Sequence, residues 1–256
     1  MQQMIAISDL DMYYSSNIQA LKNIRLSIAN GEFVAIVGPS GCGKSTLVRL
    51  IAGLIETDIG SISVAGDSAV VARKRQQQLA LVFQEANLLP WRRVVDNVRL
   101  PLELASIPIK EQMARSYEAL NVVDLEDFAM AYPGQLSGGM KMRVSIARAL
   151  VTEPNLMLLD EPFSALDEIT RQQLNEDLLK FWQQHNWTTV FITHNIAEAI
   201  FLSSRVIVMS SRPGEIIADV KIHFDYPRSS QLRSSIEFVR YMQQISSLLR
   251  GGTNEK

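Results

Sequence analysis

Apolar positions along this chain switch between two periods. Short runs at Ile5 to Leu10, Phe33 to Val37, Leu79 to Phe83, Leu156 to Leu159, Thr189 to Ile192 and Val206 to Met209 are apolar or β-branched almost throughout. That is the pattern of strands, several of them covered on both faces, and it predicts a parallel core sheet. Between Gln84 and Pro154 the spacing turns helical over Val94 to Leu104, Lys110 to Leu120 and Ser137 to Thr152, with Pro90, Pro108 and Pro133 as breaks. A helical insertion therefore interrupts an α/β core. After Pro227, Gln231 to Leu249 predicts an amphipathic helix with Leu232, Ile236, Val239, Met242, Ile245 and Leu249 on one face. Such a face suits packing on the core, with a membrane surface or a partner helix as the alternative. The sequence has no internal repeat and no low-complexity segment.

At 256 residues, 47% hydrophobic and 20% charged, the chain can bury a substantial core as one large domain or two small ones. A net charge of −2 gives no general attraction to nucleic acid, and the basic triplet Arg73-Lys74-Arg75 reads as a solvated loop. One cysteine cannot form an internal disulfide, which points to a reducing compartment. No apolar run approaches the roughly 18 to 20 residues that span a bilayer. Met1-Gln2-Gln3-Met4 lacks the basic and apolar regions of a signal peptide, so a cytosolic chain is expected.

Gly38-Pro39-Ser40-Gly41-Cys42-Gly43-Lys44-Ser45 is a complete G-x-x-x-x-G-K-S phosphate loop between the apolar run Phe33 to Val37 and a helical stretch that opens at Thr46. Strand, glycine-rich loop and helix in that order make a nucleotide site. Glycines let successive N–H groups converge on a phosphate, and the helix start adds its positive dipole end. Lys44 is then expected at the β- and γ-phosphates and the Ser45 hydroxyl on Mg²⁺, with Gly38 to Thr46 as the ATP-binding segment. Cys42, at a helix N-terminus beside Lys44, is expected to be a reactive thiol that bound Mg-ATP protects, with a sulfur turned into the strand–helix packing and inert as the alternative.

Asp160 and Glu161 end the run Leu156-Met157-Leu158-Leu159, at the edge where ligands of open parallel sheets gather. Asp160 fits a Mg²⁺ site, since that ion takes few carboxylates and keeps several waters. Glu161 is placed to polarise an attacking water, a role worth roughly 10²- to 10⁴-fold. Leu136-Ser137-Gly138-Gly139-Met140 opens another helix and forms a second anion-binding start, with a capping hydroxyl and close backbone approach. Two phosphate-binding devices with one lysine-bearing loop suggest a composite site, in which Ser137, Gly138 and Gly139 complete the phosphate loop of another copy.

In this combination the chain resembles the nucleotide-binding subunits of ATP-binding cassette (ABC) transporters over approximately Ile5 to Arg212. The resemblance also takes in Gln84 after Leu81-Val82-Phe83, Ser164-Ala165-Leu166-Asp167, and Thr193-His194 after the run Thr189 to Ile192. It implies an α/β fold: a P-loop NTPase core with a mostly parallel sheet, an N-terminal antiparallel β element and an inserted α-helical subdomain. A single cassette domain is expected, with its α/β core at 1–85 and 155–227, the helical subdomain at 86–154 and a tail at 228–256. It further implies that Gln84 senses Mg²⁺ and the attacking water, that Asp167 couples two sites across a dimer, and that His194 contacts the γ-phosphate. Read by itself, His194 is more often a structural histidine; its position after the run Thr189 to Ile192 reverses that reading. Tyr14 resembles the aromatic residue that stacks adenine, with Tyr13 as the alternative because the loop Ser15 to Gln19 blurs the register.

Glu85 to Trp91 and Met140 resemble the importers of nitrate, sulfonates, taurine, bicarbonate and pyrimidine precursors of thiamine. Met142 stands where a polar residue is frequent, and Asn195 follows the histidine where Asp is usual. Trp91 and Arg92 fall where membrane subunits dock a short helix, though a core tryptophan is a rival reading. The resemblance implies Mg²⁺ and ATP as ligands and a head-to-tail dimer of cassettes, homo- or heterodimeric. Its implied partners are two membrane-spanning permease subunits and an extracytoplasmic solute-binding protein, with no nucleic acid, at the cytoplasmic face of the inner membrane. A small-molecule kinase has no use for Leu136 to Gly139 or for His194. A soluble cassette ATPase usually carries paired cassettes or coiled coils, and an exporter's cassette differs after Gln84.

Overall fold

The computed structural model describes residues 3–14, 18–57, 59–74 and 79–251. These form two compact units, one built on Met1–Arg75 with Asn186–Lys256 and the other on Gln76–His185.

In the first unit, β1 (Gln3–Tyr14) and β2 (Ile18–Ala29) pair antiparallel, and β4 (Ile59–Val64) with β5 (Asp67–Ser68) extends the sheet in the order β2-β1-β4-β5. Buried residues alternate along β1 as Ile5 and Ile7, then Leu10 and Met12. The phase slips between the two pairs, where the register against β2 shifts. An antiparallel sheet covered on one face requires this alternation.

The unit's second sheet is built on β3 (Phe33–Val37), whose five residues are all buried. It pairs in parallel with β8 (Thr188–Ile192) on one side and β9 (Arg205–Met209) on the other, and β10 (Ile216–Lys221) adds antiparallel to β9. A strand flanked on both edges and covered on both faces has no polar position to spare, hence Phe-Val-Ala-Ile-Val. Helices α1 (Lys44–Ile51), α2 (Ala69–Lys74), α8 (Ile196–Leu202) and α9 (Ile236–Gly251) complete the unit.

The tail departs from its expected form. A 3₁₀ turn at Ser230–Ser234 precedes α9, so the helix is divided at Ser235. Phe238 and Ile245 form its buried face, while Ile236 and Val239 are exposed. Steps of three residues drift round a helix of 3.6 residues per turn, which sets Ile236 opposite Ile245, and Phe238, left off the expected stripe, stacks on Phe224 with ring centroids 6.3 Å apart.

In the second unit β6 (Leu79–Val82) and β7 (Leu156–Asp160) pair in parallel. The expected helix over 94–104 is two, α3 (Val94–Val98) and α4 (Leu100–Leu104), because Pro101 can only start a helix. α5 (Ile109–Val122), α6 (Gly138–Leu150) and α7 (Glu168–His185) follow. Among the described residues no helix is long and apolar enough to cross a membrane.

Candidate functional site

In the first unit the phosphate loop leaves the end of β3 and enters α1. Gly43, the residue before α1, has φ +109, and a Cβ there would lie 2.7 Å from Leu21 Cδ2 and 2.9 Å from the Ala20 carbonyl. Only glycine meets both conditions. No side chain caps the start of α1 and its first turn has no acidic residue, which keeps its N–H groups and positive end for an anion. Lys44 is buried, and its Nζ donates to the carbonyls of Gly38 at 2.9 Å and Pro39 at 3.0 Å. The ammonium is thus held inside the curl of the loop. Ser45 lies next to it, half-buried.

Tyr14 shares a hydrogen bond of 3.0 Å between its hydroxyl and Thr46 Oγ1, at the start of α1. Tyr13 is more exposed, at 46% against 37% for Tyr14. The structure therefore brings Tyr14 to the phosphate loop. Part of the loop Ser15 to Gln19, together with Arg75 of the basic triplet, lies outside the described residues.

Cys42 differs from expectation. Its side chain is 1% exposed, and a Cβ on Gly38 would sit 2.9 Å from its sulfur, so the thiol is packed inside the loop. Reactivity requires access as well as a low pKa, and access is missing. A residue without a sequence signature backs the loop: Gly214, in the turn between β9 and β10, lies against the Cys42 backbone. Its N–H donates to Ala20 O at 2.9 Å, its carbonyl accepts from Lys22 N at 3.0 Å, and a Cβ there would meet the Cys42 carbonyl at 2.1 Å.

The same unit holds His194, exposed just beyond β8. Its two neighbours are fixed. Thr193 Oγ1 donates to Glu198 Oε2 and accepts from the Asn195 N–H, while Asn195 Oδ1 accepts from Ala197 N at 2.9 Å and Glu198 N at 3.2 Å. Asn195 is therefore the N-cap of α8, a role for which Asn and Asp are equivalent. Its departure from the usual Asp leaves the cap intact.

In the second unit Gln84 lies two residues beyond β6, exposed, and Asp160 and Glu161 lie half-buried at the end of β7. Glu161 has φ +49, a conformation that a non-glycine residue adopts at a cost and that recurs at functional sites. The turn after it is tied by Ser164, whose N–H and Oγ both donate to the Glu161 carbonyl at 3.3 and 3.0 Å. Arg171 secures the rest, donating to Phe163 O at 3.3 Å and Leu166 O at 2.6 Å. No sequence pattern marks this arginine. Asp167 caps α7 through Thr170 N–H at 3.0 Å and Thr170 Oγ1 at 2.7 Å. The backbone N–H of Thr170, followed by its hydroxyl, holds the Asp167 carboxyl below its ordinary pKa.

Ser137 caps α6, its Oγ accepting from Met140 N–H at 3.2 Å, with Ser137 and Gly138 exposed. Met142, where a polar residue is frequent, is buried. Farther along α6, Arg148 donates to Ala86 O at 2.7 Å and Asn87 O at 2.9 Å, and burial lowers its pKa. Asn97, fully buried, holds the backbone of Leu89, Arg92 and Arg93. The Gln84 to Arg93 loop is thereby fixed with Trp91 72% exposed, which excludes the core reading of that tryptophan.

The donors expected for Mg²⁺ are the Ser45 hydroxyl, the Gln84 amide oxygen and the Asp160 carboxylate, all hard oxygens that fit the ion. Among the described residues no cluster of three or more His, Cys, Asp or Glu could hold a metal.

A buried parallel strand that runs through a glycine-rich loop into an uncapped helix start, with a lysine enclosed by the loop's own carbonyls, defines a P-loop nucleotide-binding protein. The profile of the ABC transporter family matches residues 21–164. The chain belongs to that family. It is 41% identical to the aliphatic sulfonates import ATP-binding protein SsuB of Bacillus cereus, over 94% of each chain. It is 42% identical to the nitrate import ATP-binding protein NrtD of Synechocystis, over 98% of this chain and 97% of the other. A solved ATP-binding cassette, a dimer in a post-hydrolysis state bound to ADP and Pi, matches with a TM-score of 0.77 and 34% identity, covering 87% of this chain and all of that one. Tyr14 and His194 lie outside the residues that the family profile matches.

Proposed function

We propose that this chain is the ATP-hydrolysing subunit of an importer, closing as a dimer around two Mg-ATP and opening after hydrolysis. The observation that carries this reading is the phosphate loop itself, with Lys44 enclosed by the carbonyls of Gly38 and Pro39 at the uncapped start of α1. Adenine stacks on Tyr14, where ring geometry sets affinity and base identity matters little. The loop amides and Lys44 hold the β- and γ-phosphates, and Ser45, Gln84 and Asp160 hold Mg²⁺, which neutralises charge on the phosphate oxygens when bound. Glu161 orients the water for in-line attack on the γ-phosphate, and His194 contacts that phosphate. Ser137, Gly138 and Gly139 of the partner subunit supply further N–H groups.

Two permease subunits are the proposed partners, docked on the surface that Trp91 exposes at the cytoplasmic face of the membrane, with an extracytoplasmic binding protein delivering solute. The solute is a small compound of the nitrate, sulfonate, taurine, bicarbonate or pyrimidine-precursor class; the likeness to SsuB and NrtD supports this. The test is Glu161→Gln. It leaves every phosphate-holding group in place, so ATP binding is kept, turnover falls by roughly 10²-fold or more, and an ATP-bound dimer accumulates. Hydrolysis at the wild-type rate would refute the role of Glu161.

A further inference from the structure

α8 is a seven-residue helix, and its last turn is closed by side chains from the tail. Residues near a helix C-terminus leave carbonyls that the helix itself cannot bond. Here Arg228 Nη1 donates to the carbonyls of Ile200 at 3.0 Å, Phe201 at 2.9 Å and Ser203 at 3.0 Å, and the Tyr226 hydroxyl donates to Leu202 O at 3.0 Å. Four consecutive carbonyls are satisfied by two side chains of one strap. Arg228 is 7% exposed, its Nη2 donates to Phe224 O at 2.8 Å, and its guanidinium lies 4.1 Å from the centroid of the Tyr226 ring. Arg233 stacks on Phe201 at 3.9 Å. Burial pushes the Tyr226 phenol up to about 12, so it remains a donor at neutral pH.

The other end of α8 is equally fixed. Asn195 caps it, and Glu198 on its first turn accepts from Thr193 Oγ1, so the residues on both sides of His194 are bonded to α8. A helix of this length spans about 10 Å, short enough to move as a rigid lever. The tail strap holds one end and His194 is carried at the other.

We infer that Tyr226 and Arg228 are positioning residues for His194: the tail clasps the C-terminal end of α8 and through it sets where the His194 imidazole stands. This rests on the proposed contact of His194 with the γ-phosphate. A positively charged group at a helix C-terminus also favours the helix electrostatically. The purely structural alternative, in which the strap covers only the core, predicts a change in stability alone.

The experiment uses the full chain with Mg-ATP. Tyr226→Phe removes one donor at constant ring volume. Because misplacing a group by about 1 Å can cost up to 10²-fold, kcat is expected to fall roughly tenfold with KM for ATP within about twofold. In ¹⁵N-histidine-labelled protein the His194 imidazole signals should shift while those of His185 stay in place. Added to His194→Ala, Tyr226→Phe should cause no further loss of kcat, since it acts through the histidine. Arg228→Met should show the same pattern more strongly; if it does not fold, Tyr226→Phe decides. Unmoved His194 signals, or a loss of kcat that adds fully to that of His194→Ala, would overturn the clasp. A wild-type kcat for His194→Ala would instead overturn the role of the histidine, leaving the imidazole signals to decide the clasp.

Discussion

Gly214→Ala tests whether the turn after β9 shapes the phosphate loop. The added Cβ would stand 2.1 Å from the Cys42 carbonyl oxygen, and real Cβ atoms essentially never approach closer than 3.0 Å. The shortfall is about 0.9 Å, against backbone in a closely packed interior. The Met209 Cε atom at 2.9 Å can swing aside, but the carbonyl cannot. Gly214 is anchored by its bonds to Ala20 and Lys22, each worth a net ~1 kcal/mol, so the turn yields only by giving up both. The alternative is for Cys42, and with it the amides around a phosphate, to move by most of an ångström, a displacement that can cost up to roughly 10²-fold. We expect the Kd for Mg-ATP, measured by calorimetry, to rise at least about tenfold. Gly134→Ala, with nothing within 4 Å of its Cβ, should leave the Kd unchanged. If the turn yielded instead, the lost ~2 kcal/mol would lower Tm by roughly 4–8 °C with the Kd within twofold of wild type. That result would refute the reasoning.

Two further outcomes follow from burial and charge. Cys42 should resist N-ethylmaleimide in the native, nucleotide-free protein and react once the chain is denatured, which mass spectrometry reads directly; rapid native labelling would contradict the packing seen here. Asp167 has a folded-state pKa below its unfolded value, so its contribution to stability is present above the unfolded pKa and fades as pH falls through the folded one. Asp167→Asn should therefore narrow the Tm difference between pH 7 and the acidic range below the usual carboxylate pKa of about 3.9. An unchanged difference would mean that the cap carries no charge dependence.

The phosphate loop, the acid pair after β7 and the Ser137 cap were legible because each is written in consecutive residues. β3, β7, β8 and β9 were legible to within a residue or so because strands covered on both faces are uniformly apolar. α7 was not. Its buried positions include Asn175 and Asp177, and Asp177 is held there by its ion pair with Arg143 at 2.7 Å and a hydrogen bond from Gln173 Nε2 at 3.0 Å. Polar residues on the inward face erase the helical stripe. β2 is only partly written in the sequence: Ile24, Leu26 and Ile28 alternate with exposed Arg25 and Ser27, but the period of two slips between Leu21 and Ile24, where the register against β1 shifts. Gly214, Arg171 and Arg228 act on backbone atoms, and a carbonyl has no sequence signature. Gly214 also touches a loop more than 170 positions earlier in the chain, which no local pattern encodes.

The composite site is tested by mixing two inactive chains. Ser137→Arg spoils only the partner's phosphate loop, and Lys44→Ala only the chain's own. Neither variant alone should hydrolyse ATP. In a mixed dimer both lesions fall on one site and the other is intact, so an equal mixture should recover ATPase activity towards about a quarter of the wild-type sites. A mixture as inactive as either parent, or hydrolysis that tracks only the number of intact phosphate loops, would contradict a site shared between two chains.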